Sequence, residues 1–124
     1  MECIHLNKAG GHFRVDVVML LYALDGCILV HGGDEPHIGA VAVGGSGIQP
    51  QDTVFLGHKE DGIVRMFREE ITGKGLLRHC VVLSGIHYNA ISREGIDTVL
   101  SLCEVLLTEV CRELEKRHGP EKGA

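Results

Sequence analysis

Three short segments of the chain set a histidine near a glycine, where a strand should meet a turn or a helix. They are Gly32-Gly33-Asp34-Glu35-Pro36-His37-Ile38-Gly39-Ala40-Val41, Gly57-His58-Lys59-Glu60-Asp61 and Ser84-Gly85-Ile86-His87-Tyr88-Asn89. Histidine is the commonest transition-metal ligand, and three imidazoles leave a coordination position open for water or a bound molecule. If the fold gathers these strand ends, His37, His58 and His87 form a site for a divalent metal ion. Their spacings of 21 and 29 residues are nothing like a local His-x-x-x-His pattern, so only the fold can bring them together. A single histidine in a turn is more often solvated or hydrogen-bonded than ligating, and the repeated context is what singles out these three. His5, His12, His31, His79 and His118 lack that context and read as structural or exposed.

The glycines make a second argument. Ile38-Gly39-Ala40-Val41-Ala42-Val43-Gly44-Gly45 is built almost wholly of small residues. Small side chains let a backbone come close to a ligand, and its N–H groups can cradle a phosphate or carboxylate. Gly39, Gly44 and Gly45 are therefore candidates for an anion site, the plain alternative being a tightly packed strand with its turns. No Gly-Lys-Ser/Thr follows, so this is not a Walker loop, and the segment leads into another strand, which a Rossmann fingerprint does not. A helix starting near Lys59 offers a second anion site, where Lys59 would meet a phosphate. Asp34, Glu35, Glu60 and Asp61 read as capping or solvated carboxylates. No cysteine neighbours a site histidine, and no Gly-x-Ser-x-Gly elbow is present, so no residue is assigned to catalysis.

The elements that would position these residues follow from periodicity. His12 to Leu24 alternates as a strand that begins half-exposed and turns apolar on both sides. Asp25-Gly26 reads as a hairpin dipeptide, with Cys27 to Val30 returning. Ile38 to Val43 and Thr53 to Leu56 are two further strands. The period then changes: Ile63, Val64, Phe67 and Ile71 share one stripe of a helix from about Lys59 to Thr72, stopped by Gly73-Lys74-Gly75. His79 to Ile86 is a buried strand. Ser92 is the expected N-cap of a last helix, whose apolar positions are Ile96, Leu100, Cys103, Leu107, Val110 and Leu114, and Gly119-Pro120 ends it. The expectation is one α+β domain over residues 1–124: a mainly antiparallel sheet, β-meander first and then α-β-α, with two helices on one face. The helix would cross over in a right-handed sense if the strands on either side of it pair in parallel. The wide apolar face of the last helix suggests a homodimer.

Composition bounds the function. With 124 residues, 44% of them hydrophobic, the chain can bury one core. The net charge of −5, without any basic run, argues against nucleic acid. The N-terminus has no signal-peptide pattern and the longest apolar run, Val17 to Leu24, is too short for a membrane helix. Five cysteines with no Cys-x-x-Cys read as reduced thiols of a cytoplasmic protein.

The three histidine segments, in this order, resemble those of the LpdD-like small proteins that accompany UbiD-type decarboxylases. The resemblance runs over roughly positions 10 to 115. It implies a fold related to proteasome assembly chaperones and a non-catalytic accessory that binds prenylated FMN (or FMN) and assists its delivery or maturation in a UbiD-type decarboxylase. On that footing His37, His58 and His87 would hold a metal bridging to the ligand phosphate, with Gly39, Gly44, Gly45 and Lys59 lining the phosphate end. Scarce aromatics weigh against a stacked flavin, since Tyr22, Tyr88, Phe13, Phe55 and Phe67 are the whole supply. Two other readings compete. One is a metal-dependent hydrolase or decarboxylase small subunit with Glu35 or Glu60 as base, and the other is a structural assembly module without a ligand.

Overall fold

Period-two patterning builds the sheet. The computed structural model describes residues 1–35, 37–55 and 61–118. Its strands are β1 (Glu2–Gly10), β2 (Phe13–Tyr22), β3 (Asp25–Gly33), β4 (Ala40–Gly45), β5 (Gln51–Val54) and β6 (His79–His87). Alternate residues of the central strands are fully buried: Val15, Val17 and Met19 in β2, Ile28 and Val30 in β3, Ala40 and Ala42 in β4, Cys80 and Val82 in β6. The register sets these residues side by side, Val17 opposite Val30, Ile28 opposite Val82 and Ala42 opposite Val82. They form one face of the sheet, and the two helices cover it.

Helix α1 (Asp61–Gly73) buries Ile63, Val64, Phe67 and Ile71, the expected stripe, against β4 and β6. It ends in a Schellman turn: Gly75 takes φ +64°, Leu76 N–H donates to Ile71 O at 3.0 Å and Gly75 N–H to Thr72 O at 3.0 Å. Helix α2 (Arg93–His118) packs on β1 and β2. Ser92 caps it as expected, its Oγ accepting from Gly95 N–H at 3.0 Å. Cys103, Leu107, Val110 and Leu114 are buried, but Ile96 and Leu100 stay exposed, because Val99 and Leu106 take the inward positions.

The sheet is six-stranded in the order β1-β2-β3-β6-β4-β5. Only β3 and β6 pair in parallel; the other neighbours are antiparallel. The α+β class and the single helical face are as the patterning implies. Three details differ. Strand β1 was not foreseen, because its inward side carries only Ile4, Leu6 and the stem of Lys8. The meander stops at β3: β6 takes the place beside it, so β4 and β5 form a separate hairpin, and α1 links β5 to β6 without those two strands pairing. The hairpin turn is Ala23-Leu24, two residues earlier than Asp25-Gly26. Tyr22 pairs with Asp25, Ala23 takes φ 51°, and Gly26 sits inside β3, where a Cβ would stand 2.8 Å from Leu77 Cδ1.

Candidate functional site at the histidine end of the sheet

Parallel pairing of β3 with β6 brings the first and third motifs together. Gly33 is the register partner of His87, and Asp34 N–H donates to His87 O at 2.7 Å. Asn89 N–H in turn donates to Asp34 Oδ2 at 2.9 Å, so the two turns clasp each other through His87 and Asn89 on one side and the backbone and side chain of Asp34 on the other. Glycine is required on both sides of this clasp. Gly33 has φ +94°, and a Cβ there would lie 2.0 Å from His87 O; a Cβ on Gly85 would lie 1.4 Å from His37 O. The backbone at His37 thus crosses directly over Gly85, and Gly39 N–H fastens it to Ser84 O at 2.7 Å.

The result is a histidine pair. The rings of His37 and His87 have centroids 6.0 Å apart and stand edge to face at 72°. His37 Nδ1 lies 3.0 Å from Glu35 O, which can only accept, so Nδ1 carries the proton in that contact. His87 Nε2 lies 3.1 Å from Asn89 Oδ1. An imidazole that donates from one nitrogen to an oxygen presents the lone pair of the other, which is how metal-ligating histidines are oriented. Among the described residues no group of three His, Cys, Asp or Glu is arranged to hold a metal ion. His58 and Lys59, the other members of the expected site, lie outside the described residues.

Tyr88 fixes this end to the rest of the sheet. Its hydroxyl accepts from Arg14 N–H at 2.7 Å and donates to Arg14 O at 2.8 Å, and its ring packs edge to face on Phe13 at 5.0 Å. Asp34, Gly85, Tyr88 and Asn89 all occur in the two motifs. What the sequence does not carry is their pairing, which needs the register of β3 on β6.

The glycines divide differently. Gly39 is at the histidine end, but its N–H is committed to Ser84 and its carbonyl accepts from Phe55 N–H at 2.8 Å. Gly44 and Gly45 lie at the far end of β4, opposite Cys80 and His79, and so about 23 Å or more along β6 from His87 at roughly 3.3 Å per residue. They cannot line one phosphate together with His37 and His87. Their local reason is packing: a Cβ on Gly44 would meet Arg68 Cδ at 2.7 Å, and Gly45, at φ +136°, would meet Arg78 O at 2.1 Å. They line a cavity of about 630 Å³ with Ser46, Arg68 and Thr72. Arg68 is buried there and ion-paired to Asp52, which ties β5 to α1.

The aromatic residues also sort by end. Phe67 is wholly buried, Phe13 and Tyr88 pack on each other, and Tyr22 is exposed at the opposite end. Phe55 is the aromatic left 47% exposed beside the histidine end, next to exposed Val54 and Ile38. The five cysteines are free thiols, and burial pushes that of Cys80 up to about 12. No helix among the described residues is long and apolar enough to cross a membrane.

A comparison with family models matches residues 9–115 to the prenylated flavin chaperone LpdD-like domain. A search of curated proteins finds no match to the chain.

Proposed function

We propose that this chain, which belongs to the LpdD-like prenylated flavin chaperone family, is a carrier that binds prenylated FMN and passes it to a UbiD-type decarboxylase. In this reading it assists the cofactor's delivery or maturation and does not itself turn over a substrate. The observation that carries the site is the edge-to-face pair of His37 and His87, each ring oriented by an oxygen on one nitrogen. With His58, three residues beyond Phe55 in the chain, they would supply three nitrogen ligands to a divalent metal. That ion would neutralise and hold the ligand's phosphate, and Lys59 would add a second positive charge. Gly39, Gly44 and Gly45 drop out of the phosphate role, for the reasons of hydrogen bonding and distance given above.

The exposed apolar side chains of Ile38 and Phe55 beside the histidines suit the flavin ring. A half-exposed aliphatic and single-phenyl surface grips an isoalloxazine less than a buried aromatic slot does. That suits a carrier, which must release what it binds. We place this carrier in the cytoplasm, where its five free thiols stay reduced, and read it as a homodimer.

Metal content by elemental analysis and flavin binding by absorbance titration test the site, on the wild type and on His37→Ala/His87→Ala and His37→Ala/His58→Ala/His87→Ala. The expected result is a wild type that holds metal and binds FMN or prenylated FMN, and folded variants that do neither. Folded variants with unchanged binding would remove the histidine site. Turnover by the purified chain without a decarboxylase would favour an enzyme in its place.

A further inference from the structure

One cation of the sheet is set apart. Val15 is buried under the helices, and Lys8, its register partner, shares that side, so Arg14 is the one Lys or Arg that the described strands carry on the opposite face. The histidine pair stands on the same face. The Cβ position of Gly85 points at His37 O, so the His37 backbone crosses on this side, and His87 follows Gly85 at the two-residue period of a strand. Arg14 and His87 also lie in one line across the strands: Val15 opposite Gly32 puts Arg14 beside Gly33, and Gly33 is the partner of His87. At this level β3 contributes only glycines. A Cβ on Gly32 would lie 2.5 Å from Arg14 O and one on Gly33 2.0 Å from His87 O, so β3 closes tightly on both neighbours and raises no side chain between them. Tyr88 fixes the spacing, since the hydroxyl that bonds both polar backbone atoms of Arg14 belongs to the residue after His87. On the other flank of the histidines Ile38 and Phe55 are exposed. The sheet order thus lays out a cation, a histidine pair and an apolar group from β2 to the end of β5.

We infer that Arg14 clamps the phosphate at the histidine site: its guanidinium leaves Asp16, passes over Gly33 and takes the phosphate monoester of a flavin nucleotide held at His37 and His87, with the ring toward Ile38 and Phe55. The inference rests on the flavin-carrier reading and names a residue of that same site. Reach supports it. Two strand spacings put the Arg14 Cα about 10 Å from that of His87. An extended arginine carries its terminal nitrogens about 7 Å from its Cα at ordinary bond lengths. The remaining gap of about 3 Å is the length of an N–H···O bond. The present partner is easily exchanged. The guanidinium rests on Asp16, with Nη2 3.0 Å and Nε 3.2 Å from the carboxylate, and its side chain is 57% exposed. Exposed pairs of this kind hold weakly. A phosphate monoester carries nearly two negative charges and offers oxygens to both arms of the guanidinium fork, so it is the stronger partner. The exchange does not strand Asp16, because His5 Nε2 stays at 2.9 Å and His31 is its register partner on β3. In a chain of net charge −5 a dianion needs a local cation, and Arg14 is the one the sheet supplies on this face.

Titration of the full chain with FMN and with riboflavin, which lacks the phosphate, tests it, with manganese chloride present throughout and bound metal measured alongside. The wild type is expected to bind FMN more tightly than riboflavin. Arg14→Gln should weaken FMN binding at least about tenfold, the loss of a hydrogen bond to a charged group, while riboflavin binding and metal content hold. Arg14→Lys keeps the charge without the fork, so its FMN affinity should fall between the two, and it serves in place of Arg14→Gln should that variant not fold. Asp16→Asn frees the guanidinium and should bind FMN as tightly as the wild type or more so. A merely structural Arg14–Asp16 pair would instead make Asp16→Asn lose FMN as Arg14→Gln does, and that result overturns the inference. So does an unchanged FMN affinity in folded Arg14→Gln, an equal weakening of FMN and riboflavin, or a wild type without preference for FMN; each of these leaves flavin binding itself in place. A wild type that binds neither flavin overturns the carrier reading and this inference with it.

Discussion

Gly85→Ala is the sharpest perturbation of the histidine site, because it adds one carbon and touches neither ring. The added Cβ would stand 1.4 Å from His37 O, where ordinary contact begins at 3.4 Å, so the crossing backbone must retreat by about 2 Å. That retreat pulls on the Gly39 N–H bond to Ser84 O, now 2.7 Å, and on the His37 ring. A net loss of about 1 kcal/mol for the hydrogen bond and about 1–3 kcal/mol for overpacking gives roughly 2–4 kcal/mol. For a domain of this size that lowers Tm by about 10 °C. Urea and thermal unfolding measure the stability, and calorimetric titration with a divalent metal measures the site, where at least a tenfold weaker binding is expected. Gly62→Ala is the control. Nothing lies within 4 Å of a Cβ there, and in the first turn of α1 alanine should stabilise by a few tenths to about 1 kcal/mol. A folded Gly85→Ala within about 0.5 kcal/mol of wild type, the range of an ordinary surface change, with metal affinity intact, would refute the reasoning.

Four further outcomes follow from particular contacts. Ser92→Ala removes the oxygen that accepts from Gly95 N–H and should cost about 1 kcal/mol in chemical denaturation, without changing metal binding. Tyr88→Phe leaves Arg14 N–H and O without their shared hydroxyl and should cost about 1–2 kcal/mol, while loosening His87 enough to weaken metal binding measurably. In thiol labelling of the native protein Cys3, which is exposed, should react first. Cys80, buried and pushed up to about 12, should react only on unfolding. Burial works against the Asp16 carboxylate, but hydrogen bonds from Arg14 and His5 outweigh it and hold its pKa below the ordinary 3.8. Its contribution to stability is therefore full above that value and is lost as the pH falls through the lowered folded-state pKa. Asp16→Asn should be less stable than wild type at neutral pH, with the gap closing in acid urea titrations.

What could be read without the fold was whatever one segment decides for itself. The stripe Ile63, Val64, Phe67, Ile71 specifies a helix and its buried side together, and Ser92 and Gly75 mark ends through bonds to residues three to five positions away. Strand β1 escaped because Ile4 and Leu6 alone carry its inward period, and they acquire meaning only beneath α2. The site followed the same rule. His37 and His87 were marked by local context, and the clasp between Asp34, His87 and Asn89 arises from β6 pairing in parallel with β3, a neighbour 46 or more residues away that no periodicity announces. The same insertion of β6 separated the glycines. A run of small residues reads alike whether it faces a ligand or a packed side chain, and only the register showed that Gly44 makes room for Arg68.

The two-sided apolar runs carry the argument one layer further. A strand such as β2 needs apolar residues on one side only if helices alone are to cover it, and Val18 and Leu20 would then be free to be polar. Polar residues do appear on that outer side, but around its margins: Asp16 and Arg14 at one end, Asp25 and His79 at the other, and His5, Thr53 and Gln51 on the edge strands. Solvent alone would not draw such a boundary, because water meets the middle of an open sheet as readily as its margins. An apolar centre with a charged rim is the pattern of a buried interface.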